Sequence, residues 1–163
     1  ILYAGLMIND GVPRVLEFNC RFGDPEAQVI LPRIQGDFLP ALDACVDGSL
    51  ENIIITWDEE PCVCIVMASG GYPGSYDKGK IIHGLDEAIK TGNTIIFHAG
   101  TSQQNGNIVT SGGRVLNIST SGPDLQSALH YAYQATALIH FDGAQYRTDI
   151  GLKAMNRVFC KKS

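Results

Sequence analysis

The sequence predicts an α+β fold in two parts: an antiparallel hairpin with helices over residues 1–57, then a small, mainly antiparallel α+β unit over residues 58–163. Three observations predict it. Asp10-Gly11 is a strong tight-turn signal between two strand-like segments. Helix signals fill residues 24–46. After Pro61, several short strands are joined by Gly-rich turns and are followed by one long helix.

The predicted hairpin has a polar and an apolar face on its second strand. Residues 1–8 carry apolar side chains on both parities, so we expect a first strand covered on both faces. The second strand, over residues 14–20, alternates strictly, since side chains two apart share a face. The polar row is Glu17, Asn19 and Arg21. The row expected to face the core is Leu16, Phe18 and Cys20.

Two helices are predicted after the hairpin. Asp24 is expected to cap the first, with Pro25 at its first position and Glu26 favoured by the helix dipole, and we expect this helix to run to about residue 34. Helical spacing of apolar residues predicts the second over about 37–46. Residues 49–60 are interpreted as a boundary.

The remaining residues predict an antiparallel sheet and a helix. The segment "QQNGN" is interpreted as a turn between two of the strands. An approximate apolar stripe predicts a long helix within residues 123–141. The expected strands cover 63–68, 81–83, 94–98, 108–110 and 115–120.

Composition and charge exclude several classes of protein. Twelve Lys and Arg against seventeen Asp and Glu give a formal charge of −5, and the only basic run is Lys161-Lys162, so nucleic acid is not an expected partner. No apolar run approaches the roughly 20 residues that span a bilayer, so we expect a soluble protein with no membrane partner.

The five cysteines form no C-x-x-C pair, which predicts neither a disulfide framework nor a zinc site and favours the reducing cytoplasm. The five are Cys20, Cys45, Cys62, Cys64 and Cys160. Cys62 and Cys64 are interpreted as small buried hydrophobes of one strand.

The polar row of the second strand fits phosphate chemistry. Mg²⁺ prefers hard oxygen ligands and takes one or two from the protein, which Glu17 and Asn19 would supply. Arg21 presents a planar fork suited to a phosphate or carboxylate. Spacing alone favours an ordinary polar sheet face over a site, because E-x-N is short and common.

A longer stretch, "EFNCRFGDPEAQ" at residues 17–28, resembles the signature of the phosphoribosylamine–glycine ligase family, ATP-grasp enzymes of purine biosynthesis. The resemblance continues through "YAGLM", "VMASGGYPGSYDKG", "FHAGT", "GGRVL" and "YRTDIG", and so covers essentially the whole chain. It implies the C-terminal part of an ATP-grasp domain followed by a small C-terminal domain. We therefore expect a fragment of a longer protein. The opening of the chain directly on "ILYAGLMI" favours the same expectation.

The resemblance implies ATP-dependent ligation. Glycine's carboxylate attacks the γ-phosphate of ATP to give glycyl phosphate, and the amine of 5-phosphoribosylamine then displaces phosphate. Glu17 and Asn19 correspond to the family's ligands for Mg²⁺ or Mn²⁺, and Arg21 to its neighbouring catalytic and substrate-binding arginine. Upstream domains of the same polypeptide would supply most of the nucleotide pocket, so the chain alone is not expected to turn over.

Three further residues are considered for roles at or near the site. Arg114 follows two glycines, where a backbone could approach a ligand closely, and in the family its segment faces the catalytic cleft. His98 ends a strand, where it is either structural or could donate a hydrogen bond to a phosphate or carry a proton. Asp24 is expected at most to orient Arg21. The loop "SGGYPG", residues 69–74, is interpreted as a turn because no Gly-Lys-Ser/Thr follows it.

Two alternative functions stay open. The chain could be a non-catalytic docking or regulatory module, since the nucleotide pocket would lie upstream. It could also belong to an ATP-grasp ligase that joins another carboxylate to an amine.

Overall fold

The computed structural model of the chain describes residues 1–155, so Cys160 and Lys161-Lys162 lie outside the described residues. The strands are β1 (Tyr3–Asn9), β2 (Val12–Asn19), β3 (Ile34–Gln35), β4 (Thr56–Trp57), β5 (Cys62–Ala68), β6 (Asn93–His98), β7 (Thr101–Gln104), β8 (Asn107–Thr110), β9 (Arg114–Ser121) and β10 (Gln145–Tyr146). The helices of eight or more residues are α2 (Leu39–Asp47) and α4 (Leu125–Leu138), and the shorter ones are α1 (Ala27–Ile30) and α3 (Leu85–Ala88). All the strand pairs in this part of the chain are antiparallel, as the α+β prediction requires.

The N-terminal hairpin is confirmed. Strands β1 and β2 pair around Asp10 and Gly11, whose φ angles of 48° and 78° lie in the left-handed region. The pairing slips by one residue at a β-bulge, because Leu6 faces Val15 whereas the preceding Gly5 faces Glu17. Leu16 therefore has no partner on β1. A bulge of this kind changes which side chains share a face of the hairpin.

The apolar row of β2 is not buried in this chain, so the prediction that it faces a core is wrong here. Leu16 is 64% exposed and Phe18 is 61% exposed, and Cys20 is also exposed. Residues 1–8, expected to be covered on both faces, likewise expose Leu6, Met7 and Ile8. The reason is that β1 and β2 form a sheet of two strands only, which cannot bury its own apolar face.

The first predicted helix is shorter than expected. It begins at Ala27 and gives way at Leu31 to a 3₁₀ turn that contains Pro32, whose ring and missing N–H do not suit a helix interior. Asp24 is not its cap, because the carboxylate accepts hydrogen bonds from other side chains instead. The second predicted helix is confirmed as α2, which ends at Gly48.

The predicted boundary at residues 49–60 contains ordered structure. Strand β4 lies within it and pairs with β3, and the guanidinium of Arg33 donates to the Asp58 carbonyl at 2.8 and 3.1 Å. This segment therefore folds back on the residues that follow α1. The division at residues 57 and 58 stays a prediction.

The C-terminal unit is built around a four-stranded sheet in the order β10-β5-β9-β6. Helix α4 packs against β5 and β9, and α3 packs against α4. Ile65, Met67, Leu116 and Ile118 are fully buried between sheet and helices. The sheet and the long helix were predicted, but residues 81–83 form isolated bridges rather than a strand, and β7, β10 and α3 were not predicted.

Cys62 and Cys64 lie on the sheet face opposite to α4. They are half-buried, whereas their neighbours Val63 and Ile65 are buried against Ala128 and Ala132 of the helix. Burial raises the pKa of the Cys64 thiol to about 11 and also raises the pKa of Cys62. Both thiols are therefore protonated at neutral pH, which agrees with a packing role. Within residues 1–155, no helix is long and apolar enough to cross a membrane.

This burial predicts slow alkylation of Cys64. Because only the thiolate reacts, iodoacetamide at pH 8 should modify Cys64 at least ~10-fold more slowly in the native full-length protein than after unfolding in urea. The native rate should still be rising between pH 9 and the pKa of about 11. Peptide mass spectrometry gives both rates, and a native rate that levels off below pH 9 would contradict the shifted pKa.

Candidate functional site

Three side chains share the polar face of the hairpin. The register places Tyr3 opposite Asn19 and Gly5 opposite Glu17, so Tyr3, Glu17 and Asn19 lie on one face. A Cβ on Gly5 would lie 3.1 Å from Glu17 Cγ, which shows that the glutamate side chain runs across this glycine. Glu17 is exposed and Asn19 is half-buried. The face thus presents a carboxylate and an amide oxygen near the end of β2.

Arg21 lies two residues beyond the end of β2, in a bend rather than in the strand. Its Nη1 donates to the Phe22 carbonyl at 2.8 Å, and the side chain is exposed. Its positive charge nevertheless acts on the Tyr3 hydroxyl. The polar row predicted from alternation therefore ends at Asn19, and Arg21 approaches the same face from the following loop.

Glu26, in the loop after β2, also lies at this face. The sequence pattern explains this residue only by a favourable position at the positive end of a helix dipole. The Tyr3 hydroxyl donates to Glu26 Oε1 at 3.2 Å. The pKa of Tyr3 is raised, chiefly by the negative charge of Glu26, with a smaller contribution from Glu17. Glu26 Oε2 lies against Gly23, so a Cβ added there would displace the end of the glutamate side chain. The one sequence signal for Glu26 was its place in the longer signature.

Arg114 reaches the same loop from the C-terminal unit, across 90 positions of the chain. Its Nη1 donates to the Asp24 carbonyl oxygen at 2.7 Å, and its Nη2 lies 3.2 Å from Asp24 Oδ2. Gln28 Nε2 donates to the other carboxylate oxygen at 2.9 Å. Asp24 is thus held by Arg114 and Gln28, and not by Arg21 as expected. The pair joins the two predicted parts of the chain.

The glycines before Arg114 are covered by the protein itself. A Cβ on Gly113 would collide with the ring of Tyr72, and Gly112 lies against Gly100. Ser69 donates to the carbonyls of both glycines, through Oγ at 2.9 Å and N at 2.8 Å. The loop at residues 69–74 is therefore a turn that braces the Arg114 segment, as the turn interpretation expects.

His98 is separate from these groups. Its Nδ1 lies 3.0 Å from Thr101 Oγ1, and it ends β6 opposite Leu116. Strand alternation gives His98 the parity of Ile96, which is partly buried against the core cluster. Among the described residues, no hydrogen bond or ion pair joins His98 to Arg114 or Asp24.

The donor set on the hairpin suits a hard cation. Residues 1–155 contain no cluster of three or more His, Cys, Asp or Glu side chains that could enclose a metal ion. Glu17 and Asn19 nevertheless offer two oxygen ligands on one exposed face, and Mg²⁺ commonly takes one or two protein ligands and completes its shell with water and phosphate oxygens. The residues present therefore fit a metal shared with a polyphosphate.

Comparisons with known proteins identify the family of the chain. The family described as "Phosphoribosylglycinamide synthetase, C domain" matches residues 62–153, and its ATP-grasp (A) domain matches residues 1–27. A phosphoribosylamine–glycine ligase of Caldanaerobacter subterraneus is 47% identical over 150 residues, which cover 92% of this chain and 35% of that protein. The trifunctional purine biosynthetic protein adenosine-3 of Gallus gallus is 47% identical over 156 residues, covering 95% of this chain and 16% of that protein.

A solved structure is also similar. The crystal structure of phosphoribosylamine–glycine ligase from Thermotoga maritima matches with a TM-score of 0.72 and 34% identity, covering 91% of this chain and 36% of that chain. The chain thus spans about a third of the length of the single-function ligases that it resembles.

Proposed function

The chain belongs to the phosphoribosylglycinamide synthetase family, and from that premise we propose that it forms the C-terminal part of a phosphoribosylamine–glycine ligase. The complete enzyme would use ATP to join glycine to 5-phosphoribosylamine, giving glycinamide ribonucleotide, ADP and phosphate in purine biosynthesis. The proposal is supported by relatives that carry this activity in their names and extend well beyond this chain. Upstream domains of the same polypeptide would bind most of the nucleotide.

The observation that carries the proposal is the polar face of the hairpin. Glu17 and Asn19 lie together on β2, inside the segment that matches the ATP-grasp domain. We assign these two residues as ligands of Mg²⁺ or Mn²⁺. When bound, such an ion neutralises charge on phosphate oxygens during phosphoryl transfer.

Arg21 would act on the acid substrate. A guanidinium in the loop after β2 can pair with the glycine carboxylate and with the charge that develops as glycyl phosphate forms. Its present hydrogen bond to the Phe22 carbonyl uses only Nη1, so other N–H groups remain for a ligand. We assign Arg21 to substrate binding and catalysis.

We also assign Arg114 and His98 to substrate binding, in less direct roles than that of Arg21. Arg114 already holds the Asp24 carbonyl and carboxylate, so it fixes the loop between Arg21 and Glu26 and can offer its remaining N–H to an anionic group. His98 would act through Nε2, since Nδ1 faces Thr101.

The exposed apolar face of the hairpin fits this view of a longer protein. Leu16, Phe18 and Ile8 are each more than half exposed, an arrangement that an aqueous surface does not favour. We propose that upstream domains of the ligase cover them. The cysteines at 20, 45, 62 and 64 are free, and with the purine-biosynthetic relatives they support a cytoplasmic enzyme.

The proposal predicts a specific product. The full-length protein with ATP, Mg²⁺, glycine and 5-phosphoribosylamine should release one ADP for each glycinamide ribonucleotide, measured by coupled ADP assay and mass spectrometry. ADP release should require both the acid and the amine. A different amide product would indicate another ATP-grasp ligase, and no ATP-dependent ligation by the full-length protein would favour the non-catalytic module.

A further inference from the structure

Glu26 is a half-buried residue whose carboxylate has one oxygen in a hydrogen bond and the other without a partner among residues 1–155. Oε1 accepts the Tyr3 hydroxyl at 3.2 Å, and Oε2 lies against the bare Cα of Gly23. Among residues 1–155, no Lys, Arg or His comes within ion-pair distance of this carboxylate. A carboxylate with no cation beside it is a favourable place for a ligand cation.

The position of this carboxylate relates it to the proposed site. Tyr3, which holds it, faces Asn19 across the hairpin, and the Tyr3 hydroxyl experiences the charges of both Glu17 and Arg21. One small region therefore presents an oxygen pair suited to a metal, a guanidinium and a second carboxylate. Glu17 and Arg21 already have charge partners in the proposed function, whereas Glu26 does not.

The proposed acid substrate carries the complementary charge. Glycine is a zwitterion at neutral pH, and its carboxylate must be presented to ATP while its ammonium group leaves bulk water. Burying an ammonium group without a counter-charge is unfavourable, so a glycine site is favoured by a carboxylate near the guanidinium that binds the glycine carboxylate. We propose that Glu26 receives the ammonium group of the amino acid substrate, an inference that rests on the proposed function.

Glu26 would then select glycine over acids that lack the amine. A charged hydrogen bond between Glu26 and the ammonium group would stabilise bound glycine. Bound acetate would leave the Glu26 carboxylate without a cation. The Tyr3 hydroxyl would act as a positioning group, because it fixes the carboxylate through Oε1 and leaves Oε2 for the ammonium. A purely structural role for Glu26 is the alternative, in which Tyr3 and Glu26 simply fasten the loop to β1.

The test uses the full-length ligase and the Glu26→Gln variant. We expect kcat/KM for glycine to fall ~10- to 100-fold, as for loss of a charged hydrogen bond, with the KM values for ATP and 5-phosphoribosylamine within about two-fold of wild type. The inhibition constant of sodium acetate against glycine should stay within about two-fold, because acetate makes no contact of this kind. An equal loss for glycine and acetate would overturn the inference.

Two matched variants separate the ammonium role from a fastening role. Tyr3→Phe removes the hydrogen bond to Oε1 and keeps the carboxylate, so its kcat/KM for glycine should fall less than about five-fold. If Tyr3→Phe lost as much as Glu26→Gln, the fastening role would replace the proposal. Glu26→Asp keeps the charge and should restore part of the loss, and it also tests the proposal if Glu26→Gln does not fold. A wild-type protein that makes no glycinamide ribonucleotide would instead refute the proposed function.

Discussion

Replacing Glu17 by glutamine in the full-length ligase is expected to lower Mg²⁺-dependent ADP formation by ~100-fold or more in the presence of glycine and 5-phosphoribosylamine. The substitution keeps the size of the side chain and removes its negative charge, and a hard divalent cation depends on that charge. Glu17 is exposed on a strand and accepts no hydrogen bond or ion pair from the described residues. Stability should therefore change little.

The dependence on metal concentration makes this prediction specific. In the Glu17→Gln variant, the Mg²⁺ concentration for half-maximal activity should rise while the thermal midpoint stays close to wild type. Glu51→Gln is a matched control, since Glu51 is an exposed glutamate in the 3₁₀ turn at Leu50–Asn52, away from the hairpin. Full activity of Glu17→Gln at limiting Mg²⁺ would refute the assignment of Glu17 as a ligand.

The turn of the hairpin could be predicted from sequence, but the composition of its polar face could not. Asp10-Gly11 indicates a two-residue turn, and counting back from it pairs Tyr3 with Phe18. The bulge at Leu16 shifts that register by one residue and brings Tyr3 opposite Asn19. Nothing in the local pattern marks Leu16 as the bulged residue, so Tyr3 was not among the predicted site residues.

Alternation also could not show what covers the apolar row. It correctly separates Glu17 and Asn19 from Leu16 and Phe18, but a face is buried only when another element packs on it. Leu16 and Phe18 are exposed because no described helix or sheet does so. In the C-terminal unit α4 supplies such a layer for Val63 and Ile65 within the described chain, while Cys62 and Cys64, interpreted as buried, are half-buried on the other face.

Contacts between residues far apart in the sequence could not be predicted from local sequence patterns. The capping rule for Asp24 is local, and it failed because a guanidinium 90 positions away engages the same carboxylate. Gly112 and Gly113 suggested space for a ligand, yet Gly100 and the ring of Tyr72 fill that space. In both cases the local pattern identified the right segment, while its partner was set by tertiary packing.

The contact between Arg114 and Asp24 predicts an unequal effect of removing either partner. Arg114→Ala removes the ion pair together with the hydrogen bond to the Asp24 backbone carbonyl, which Asp24→Asn leaves in place. The two side chains are 39% and 43% exposed, so the ion pair alone should contribute less than about 1 kcal/mol. The charged hydrogen bond to the carbonyl is exposed as well, so about 1.5 kcal/mol, the low end of the usual range, is expected for it. In the full-length ligase we therefore expect Arg114→Ala to lower kcat/KM for glycine ~10-fold or more, and Asp24→Asn only a few-fold.

The double variant distinguishes this contact from a general loss of stability. Once Arg114 is alanine, Asp24→Asn should have almost no further effect, because the partner of the carboxylate is already gone. Lys80→Ala is the matched control: Lys80 also pairs across the fold, with Asp142 at 3.0 Å, but does not touch the loop that follows β2. It should leave kcat/KM unchanged. Strictly additive effects of the Arg114 and Asp24 substitutions, or an equal loss in Lys80→Ala, would show that the loop after the hairpin is not held in place from the C-terminal unit.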